Sequence, residues 1–211
     1  SKNKETGKEQ RKCYVQGSAQ AAGQPAKILA ESVDGDALPI VSASSSQGMP
    51  FRGAIAGDSG ALPREVWAPI DAAIGDGPSL GYTQQYRQAH WLARTHMASV
   101  HSEKQRQPAL DLGFRTYRSI EPVQGAVVQL LDGEKLCPAS KEFGEANGFK
   151  VDCNTCGGCN GNRDDGNPIT GYAILRHGNG DSARWKSYAR KAGGGIAVKD
   201  SNGDVVGAVK G

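Results

Sequence analysis

The sequence has no apolar run near the roughly 20 residues that a membrane-crossing helix needs, and its mean hydropathy is −0.51. A membrane protein is therefore not expected. Aromatic residues make up only 6% of the 211 residues and hydrophobic residues 37%, which suits a soluble protein with a modest core. The net charge of +3 is too small to demand a nucleic-acid partner and too small to exclude one. There is no Walker A loop, no HExxH and no GxSxG, so the common signatures of P-loop NTPases, zincins and α/β-hydrolases are missing. No repeat of fixed period is present, which argues against a solenoid. The first residues are polar and charged, without the apolar stretch of an export signal, and a reducing cytoplasm is the expected compartment.

Against these absences stand 29 glycines and five cysteines. Four of the cysteines are clustered: Cys137-Pro138, then Cys153, Cys156 and Cys159 as two overlapping CxxC units, with His177 further on. An odd count with tight spacing favours metal over a disulfide framework. Zinc takes four Cys or His ligands in a tetrahedron. Cys137, Cys153, Cys156 and Cys159 supply four, and His177 is an alternative fourth. Three cysteines at C-x2-C-x2-C with a remote Cys-Pro are also the ligand grammar of a ferredoxin-type [4Fe-4S] cluster. Both metals stay open at this stage. Zinc with four protein ligands would be structural, because catalytic zinc keeps an open position.

The chain divides by pattern. Residues 1–50 form an arm (1–12) and an irregular Gly-, Ala- and Ser-rich segment, with 42–49 expected as a loop. Residues 51–180 carry an α/β core containing the metal-binding segment 137–177. Residues 181–211 carry a helix, capped by Asp181, and a hairpin turning at Ser201-Asn202-Gly203. Within the core, strands are expected at 51–56, 80–86, 96–100, 114–120, 126–131, 134–137 and 172–176. Helices are expected at 63–74, with Val66, Ile70 and Ile74 on one face, at 88–93, and at 103–112 behind Ser102. The segment 134–137 reads as a further strand or as the hairpin partner of 126–131. Repeated strand–helix–strand order predicts parallel βαβ units, arranged as a partial or small TIM-like barrel or as an open parallel sheet.

In such folds the carboxyl ends of the strands line the active site. Asp58, in Gly57-Asp58-Ser59-Gly60, stands at one such end and is the candidate nucleophile, general base or contact to a substrate amine. A turn-capping Asp is the alternative. His101 is the second catalytic candidate. Gln84, Tyr86, Arg87, Ser99 and Arg118 are the candidate substrate contacts at neighbouring strand ends. Arg184, Lys186, Arg190 and Lys191 surround Trp185 and Tyr188, a mixture that can bind nucleic acid or simply form a solvated amphipathic helix.

Lys12-Cys13-Tyr14-Val15, Gly57-Asp58, Gly81-Tyr82-Thr83, Met97-Ala98-Ser99-Val100, Gly113 to Arg118 and Leu136 to Glu142, ending in the cysteine triplet and His177-Gly178, resemble a family of uncharacterised cysteine-rich bacteriophage proteins over roughly residues 51–178. Members of that family carry further cysteines before the Cys-Tyr pair, where this chain has only Cys13. Asp58-Ser59-Gly60, and Cys153, Cys156, Cys159 and His177, also resemble in part the strand-end motif and zinc site of tRNA- and DNA-guanine transglycosylases. That resemblance implies a zinc-bearing barrel enzyme acting on a nucleobase or nucleic acid, in the host cytoplasm if phage-encoded. Two alternatives remain: a non-enzymatic, metal-stapled module that binds nucleic acid or a host protein, and an iron–sulfur redox or radical protein.

Overall fold

The computed structural model describes residues 38–53, 57–149, 151–161, 166, 168–177 and 180–211. The chain divides into Ser1–Asp36 and Ala37–Gly211, and every described residue belongs to the second unit. The arm expected at 1–12, Cys13, and the Gly- and Ala-rich stretch after it lie outside the described residues.

In chain order the elements are α1 (Leu38–Ser46), β1 (Phe51–Arg52), a 3-10 turn (Ser59–Ala61), α2 (Arg64–Ile74), β2 (Ser79–Leu80), β3 (Tyr82–Thr83) and a second 3-10 turn (His90–Leu92). There follow β4 (Met97–Val100), α3 (Glu103–Asp111), β5 (Thr116–Ile120), β6 (Val127–Gln129), β7 (Glu134–Leu136), α4 (Lys141–Asn147) and the single turn α5 (Cys153–Cys156). The chain closes with β8 (Gly171–Leu175), α6 (Asp181–Lys191), β9 (Gly195–Lys199) and β10 (Val205–Lys210).

The central sheet has five strands in the order β3-β4-β5-β8-β7, all parallel. Among the described residues its edges β3 and β7 do not pair with each other, so the pairing is that of an open parallel sheet. A smaller sheet, β10-β9-β6, and the parallel pair β1-β2 stand beside it. β9 and β10 form the expected hairpin, antiparallel from Val205↔Lys199 to Lys210↔Gly195.

Register decides what each face of the central sheet carries. Ser99, Tyr117, Tyr172 and Lys135 fall in one cross-strand row, and Tyr82 pairs with Met97 two residues earlier. Side chains alternate along a strand, so Tyr82, Ser99, Tyr117 and Tyr172 share one face. The opposite face carries Ala98, Val100, Ile120, Leu136, Ala173 and Leu175. Those residues enter two apolar clusters. One joins the sheet to α6 and the smaller sheet through Trp185, Ala189, Ile196, Val198 and Val209. The other joins it to α2 and α3 through Trp67, Ile74, Ala109 and Phe114.

Between the clusters lies a buried charge. The Glu134 side chain is wholly buried and accepts from Arg118 Nε at 2.7 Å and Nη2 at 2.6 Å, and from Leu131 N at 3.0 Å. Arg106 Nε approaches at 3.7 Å. A bidentate guanidinium–carboxylate pair with a third donor offsets the desolvation of both charges.

Several local expectations change for physical reasons. The Ser-rich stretch expected as a loop is α1, because Val41 packs on the α2 cluster and Ser45 Oγ donates to the Ile74 carbonyl. On α2 the inward stripe is Trp67, Ile70 and Ile74, at i, i+3, i+7, while Val66 is 48% exposed. The strand expected at 80–86 breaks at Gly81 into β2 and β3, which serve different sheets. A side chain at Gly81 would come within 2.4 Å of the His96 ring. The strands around the Asp132-Gly133 turn do not form a hairpin: β6 pairs with β9 and β7 with β8. Gly180, at φ 83, caps α6 in place of Asp181, which is buried in the first turn and bound by Arg176 Nε at 2.5 Å.

Replacing Glu134 with Ala strands Arg118 in the core, and an unfolding loss of about 3–5 kcal/mol is expected. Urea denaturation measures it; a loss below about 1 kcal/mol would place the pair among surface-grade bridges.

Candidate metal centre

The cysteine segment is built to lie on the tyrosine face. Asp152 opens it, its carboxylate accepting from Thr155 N at 3.1 Å and Thr155 Oγ1 at 2.7 Å, and this winds Cys153–Cys156 into one turn. Gly157, at φ +60, takes the chain out of that turn. Gly158 then passes over Tyr172 so closely that a Cβ would meet the ring at 2.6 Å. Asn160 Oδ1 accepts from Ser79 N at 2.5 Å, and the Gly161 carbonyl accepts from Arg115 Nη1 at 3.2 Å. Glycine at 158 and side-chain anchors at 160 and 161 hold the intervening thiol down.

The segment sets Cys153 and Cys156 near enough to Cys137 and Cys159 to raise the pKa of both thiols. Cys137 is buried, Cys156 and Cys159 are half-buried and Cys153 is exposed; all four are free thiols. Tyr82 lies beside Cys159 and acts to lower its thiol pKa, and the Ala139 backbone and Tyr117 do the same to Cys137. Burial pushes the Cys159 thiol up to about 12, and the other three thiols push it the same way. Burial also raises Cys137, with Cys153 and Cys156 adding to it. Tyr82, Tyr117 and Tyr172 are raised as well, first by burial and then by the neighbouring sulfurs. Among the described residues no group of three or more His, Cys, Asp or Glu side chains stands in metal-binding geometry. The donor chemistry nonetheless fits a thiophilic metal. The four thiols influence one another electrostatically, and Tyr82, Tyr117 and the Ala139 backbone favour the thiolate of Cys159 and Cys137.

His177 turns elsewhere. Its Nε2 lies 3.1 Å from Oε1 of Glu142, a buried carboxylate on α4, and that hydrogen bond raises its pKa. Cys137, the other alternative for the fourth ligand, is near enough to Cys159 to raise its thiol pKa.

The remaining candidates are dispersed. Asp58 caps the first 3-10 turn, with Oδ1 accepting from Gly60 N at 2.8 Å and Oδ2 from Gln84 N at 2.7 Å. It therefore sits beside Gln84, just past the carboxyl end of β3. Tyr86 is buried and gives its hydroxyl to the Gln105 carbonyl, while Arg87 lies over the Tyr86 ring at 5.7 Å. The backbone N–H of His101 donates to Gln105 Oε1. Ser99 stays on the tyrosine face, whereas Arg118 is on the other face, holding Glu134. On α6, Trp185 is buried and donates to the Arg176 carbonyl, and Arg184 pairs with Asp181. Lys186, Arg190 and Lys191 remain exposed.

Two groups escaped the sequence reading. The three tyrosines look like ordinary strand formers, and only the period-two register puts them on one face under the thiols. Ser59 and His96 are fully buried, with Ser59 Oγ 2.9 Å from His96 Nε2 and Thr95 Oγ1 3.0 Å from Nδ1. Trp67 packs edge-on to the imidazole at 4.9 Å. Burial lowers the His96 pKa to about 4, so the folded protein holds a neutral ring. Between pH 6.5, where an unfolded His titrates, and pH 4, the unfolded state binds a proton that the folded state refuses. Stability from His96 is thus fully present above pH 6.5 and is lost as pH falls through that window, on the order of 3 kcal/mol at most. Thermal melts of the protein and of His96→Asn across pH 4–7 should show the steeper acid loss in the unsubstituted chain. Parallel profiles would remove the assignment.

Comparison of this chain with protein-family models, with curated proteins and with solved structures returns no match.

Proposed function

We propose that this is a metalloprotein that acts on a nucleobase or nucleic acid, with zinc held by Cys137, Cys153, Cys156 and Cys159 over the tyrosine face. The observation that carries the metal is the set of groups around the thiols. Tyr82 beside Cys159, and Ala139 and Tyr117 beside Cys137, pull those thiols toward the thiolate form, as outer-shell groups do in metal–thiolate sites. Zinc with four thiolates has no open position, and when bound it fixes that segment. In this reading the tyrosine face is the inner face of a partial barrel, and the cysteine segment covers it.

The substrate class follows from the resemblance to guanine transglycosylases, and Asp58 is the residue assigned to the chemistry. Each of its oxygens accepts one backbone N–H and keeps a second lone pair for a substrate donor or proton. An iron–sulfur cluster on the same thiols is the second reading, supported by the same neighbouring groups, which tune cluster sulfurs equally well.

Elemental analysis with an absorption spectrum tests both. About one zinc per chain in a colourless protein is expected, lost in Cys137→Ser and Cys156→Ser but kept in Cys13→Ser. A brown protein containing iron moves the assignment to the cluster, and a metal-free protein that melts identically with and without added zinc removes the centre. Asp58→Asn retains an acceptor for the cap but not the charge. Unchanged stability and metal content, with nucleobase exchange reduced about 10²-fold or more, is expected; full exchange activity would end the catalytic assignment.

A further inference from the structure

Just beyond the carboxyl end of β8 stands a group of side chains to which neither the thiols nor Asp58 lay claim. In an open parallel sheet that is the end where ligands bind. His177 is two residues past β8, and Ser182 is in the first turn of α6, which follows. Glu142 comes from α4, the helix after the neighbouring strand β7. Glu142 Oε1 lies 3.1 Å from His177 Nε2, and Ser182 Oγ lies 3.4 Å from His177 Nδ1. The order is carboxylate, imidazole, hydroxyl. An ionised carboxylate only accepts, so it fixes the proton of the neutral ring on Nε2 and leaves the Nδ1 lone pair toward Ser182. The Glu142 side chain is 4% exposed, and its Oε2 is buried with no partner among the described residues. The imidazole is the group against which that charge is held.

The hydroxyl end is open and firmly mounted. Ser182 is exposed and the His177 side chain is 38% exposed, so a substrate can approach the pair from solvent. Asp181 is bound by Arg176 Nε at 2.5 Å, and Trp185 donates to the Arg176 carbonyl at 3.0 Å. These two bonds seat the first turn of α6 against the strand end. Ser182 Oγ also lies 3.2 Å from the His177 carbonyl, and that contact keeps the oxygen beside the ring. The N–H groups of Ala183 and Arg184 go to the Gly180 carbonyl. Those of Asp181 and Ser182 have no acceptor within the helix and stand at its positive end.

We infer that Ser182, His177 and Glu142 form an acyl-transfer site that hydrolyses short-chain carboxylic esters. Ser182 Oγ attacks the ester carbonyl carbon as its proton passes to Nδ1. The carbonyl electron pair moves onto oxygen, beside the N–H groups of Asp181 and Ser182. Collapse breaks the bond to the alcohol, which leaves with the Nδ1 proton, and the acyl group stays on Oγ. Water then adds to the acyl carbon and gives a proton to Nδ1; the second collapse returns that proton to Oγ and releases the acid. Glu142 touches no reacting atom and is a positioning residue: it holds the ring and stabilises the imidazolium formed in each half. An alcohol leaves more readily than an amine, and an open surface gives a long acyl chain little to grip, so the substrates are short esters. The site asks nothing of the metal or of Asp58.

Hydrolysis of p-nitrophenyl acetate and butyrate by the intact protein, with peptide mapping after exposure to an alkyl fluorophosphonate, tests the inference. Turnover is expected, faster with acetate than with butyrate, and the phosphonyl group is expected on Ser182. Ser182→Ala and His177→Gln should each lower kcat about 10²-fold or more, while Ser187→Ala on the same helix should not. Because Ser182 is exposed, its alanine variant keeps the fold, and a lost rate reports the missing hydroxyl. The Glu142 hydrogen bond raises the His177 pKa, against burial and Lys141 and with help from Asp181. The base must be unprotonated, so the rate should rise with pH through a midpoint above 6.5. Glu142→Gln keeps the shape without the charge and should lower both that midpoint and kcat. Absence of turnover by folded protein overturns the inference. So does turnover that Ser182→Ala leaves intact, as acylation of the exposed Cys153 would give, label confined to other residues, or a midpoint that Glu142→Gln does not move.

Discussion

A parallel sheet exposes no face cheaply. Its strands are joined by crossovers that cover it on both sides, and both sides must exclude water from their backbone. Here the two coverings are chemically unlike. One face is closed conventionally, by aliphatic residues and Trp185 against α6 and the smaller sheet and by Phe114 and Trp67 against α2 and α3. The other face presents Tyr82, Ser99, Tyr117 and Tyr172, and what closes it is a segment poor in hydrophobic residues. That segment lies flat because Gly158 permits contact with Tyr172 and because Asn160 and Gly161 are hydrogen-bonded to the frame. A covering without an apolar payload needs another source of cohesion, and the zinc proposed on the four thiols would supply it.

The thiols are pulled in two directions. Burial and mutual repulsion favour the neutral S–H form of Cys137 and Cys159, while the Tyr82 and Tyr117 hydroxyls and the Ala139 N–H favour the thiolate. The zinc proposed above would resolve the conflict by neutralising charge that the local dielectric penalises. The contrast with Glu134 is instructive. There the charge is equally buried, but the chain supplies its own cation through Arg118, in the fork geometry that suits a carboxylate.

What could be read from the sequence was whatever depended on spacing along the chain. The CxxC pairs, the Asp132-Gly133 turn, the Gly193 to Gly195 break and the β9–β10 hairpin all follow from neighbours in sequence. What could not be read depended on partners far apart. Val66 and Trp67 are equally apolar, and only the rotation of α2 against Phe51 and His96 sends Trp67 inward. The Ser-rich α1 has little intrinsic preference for helix, and tertiary contact with the end of α2 overrides that. β6 joins β9, nearly 70 residues later, rather than β7 next to it. The partner of His177, Glu142 on α4, lies 35 positions away and leaves no mark in the local spacing.

Gly161 lies where a Cβ would stand 2.4 Å from the Arg94 carbonyl, at φ +69. Only glycine lets the tail of the cysteine segment rest against the residue whose guanidinium holds the end of α2. A side chain at 161 would have to lift the segment off the Arg94 backbone, so the seat of the covering and the brace on α2 would loosen together.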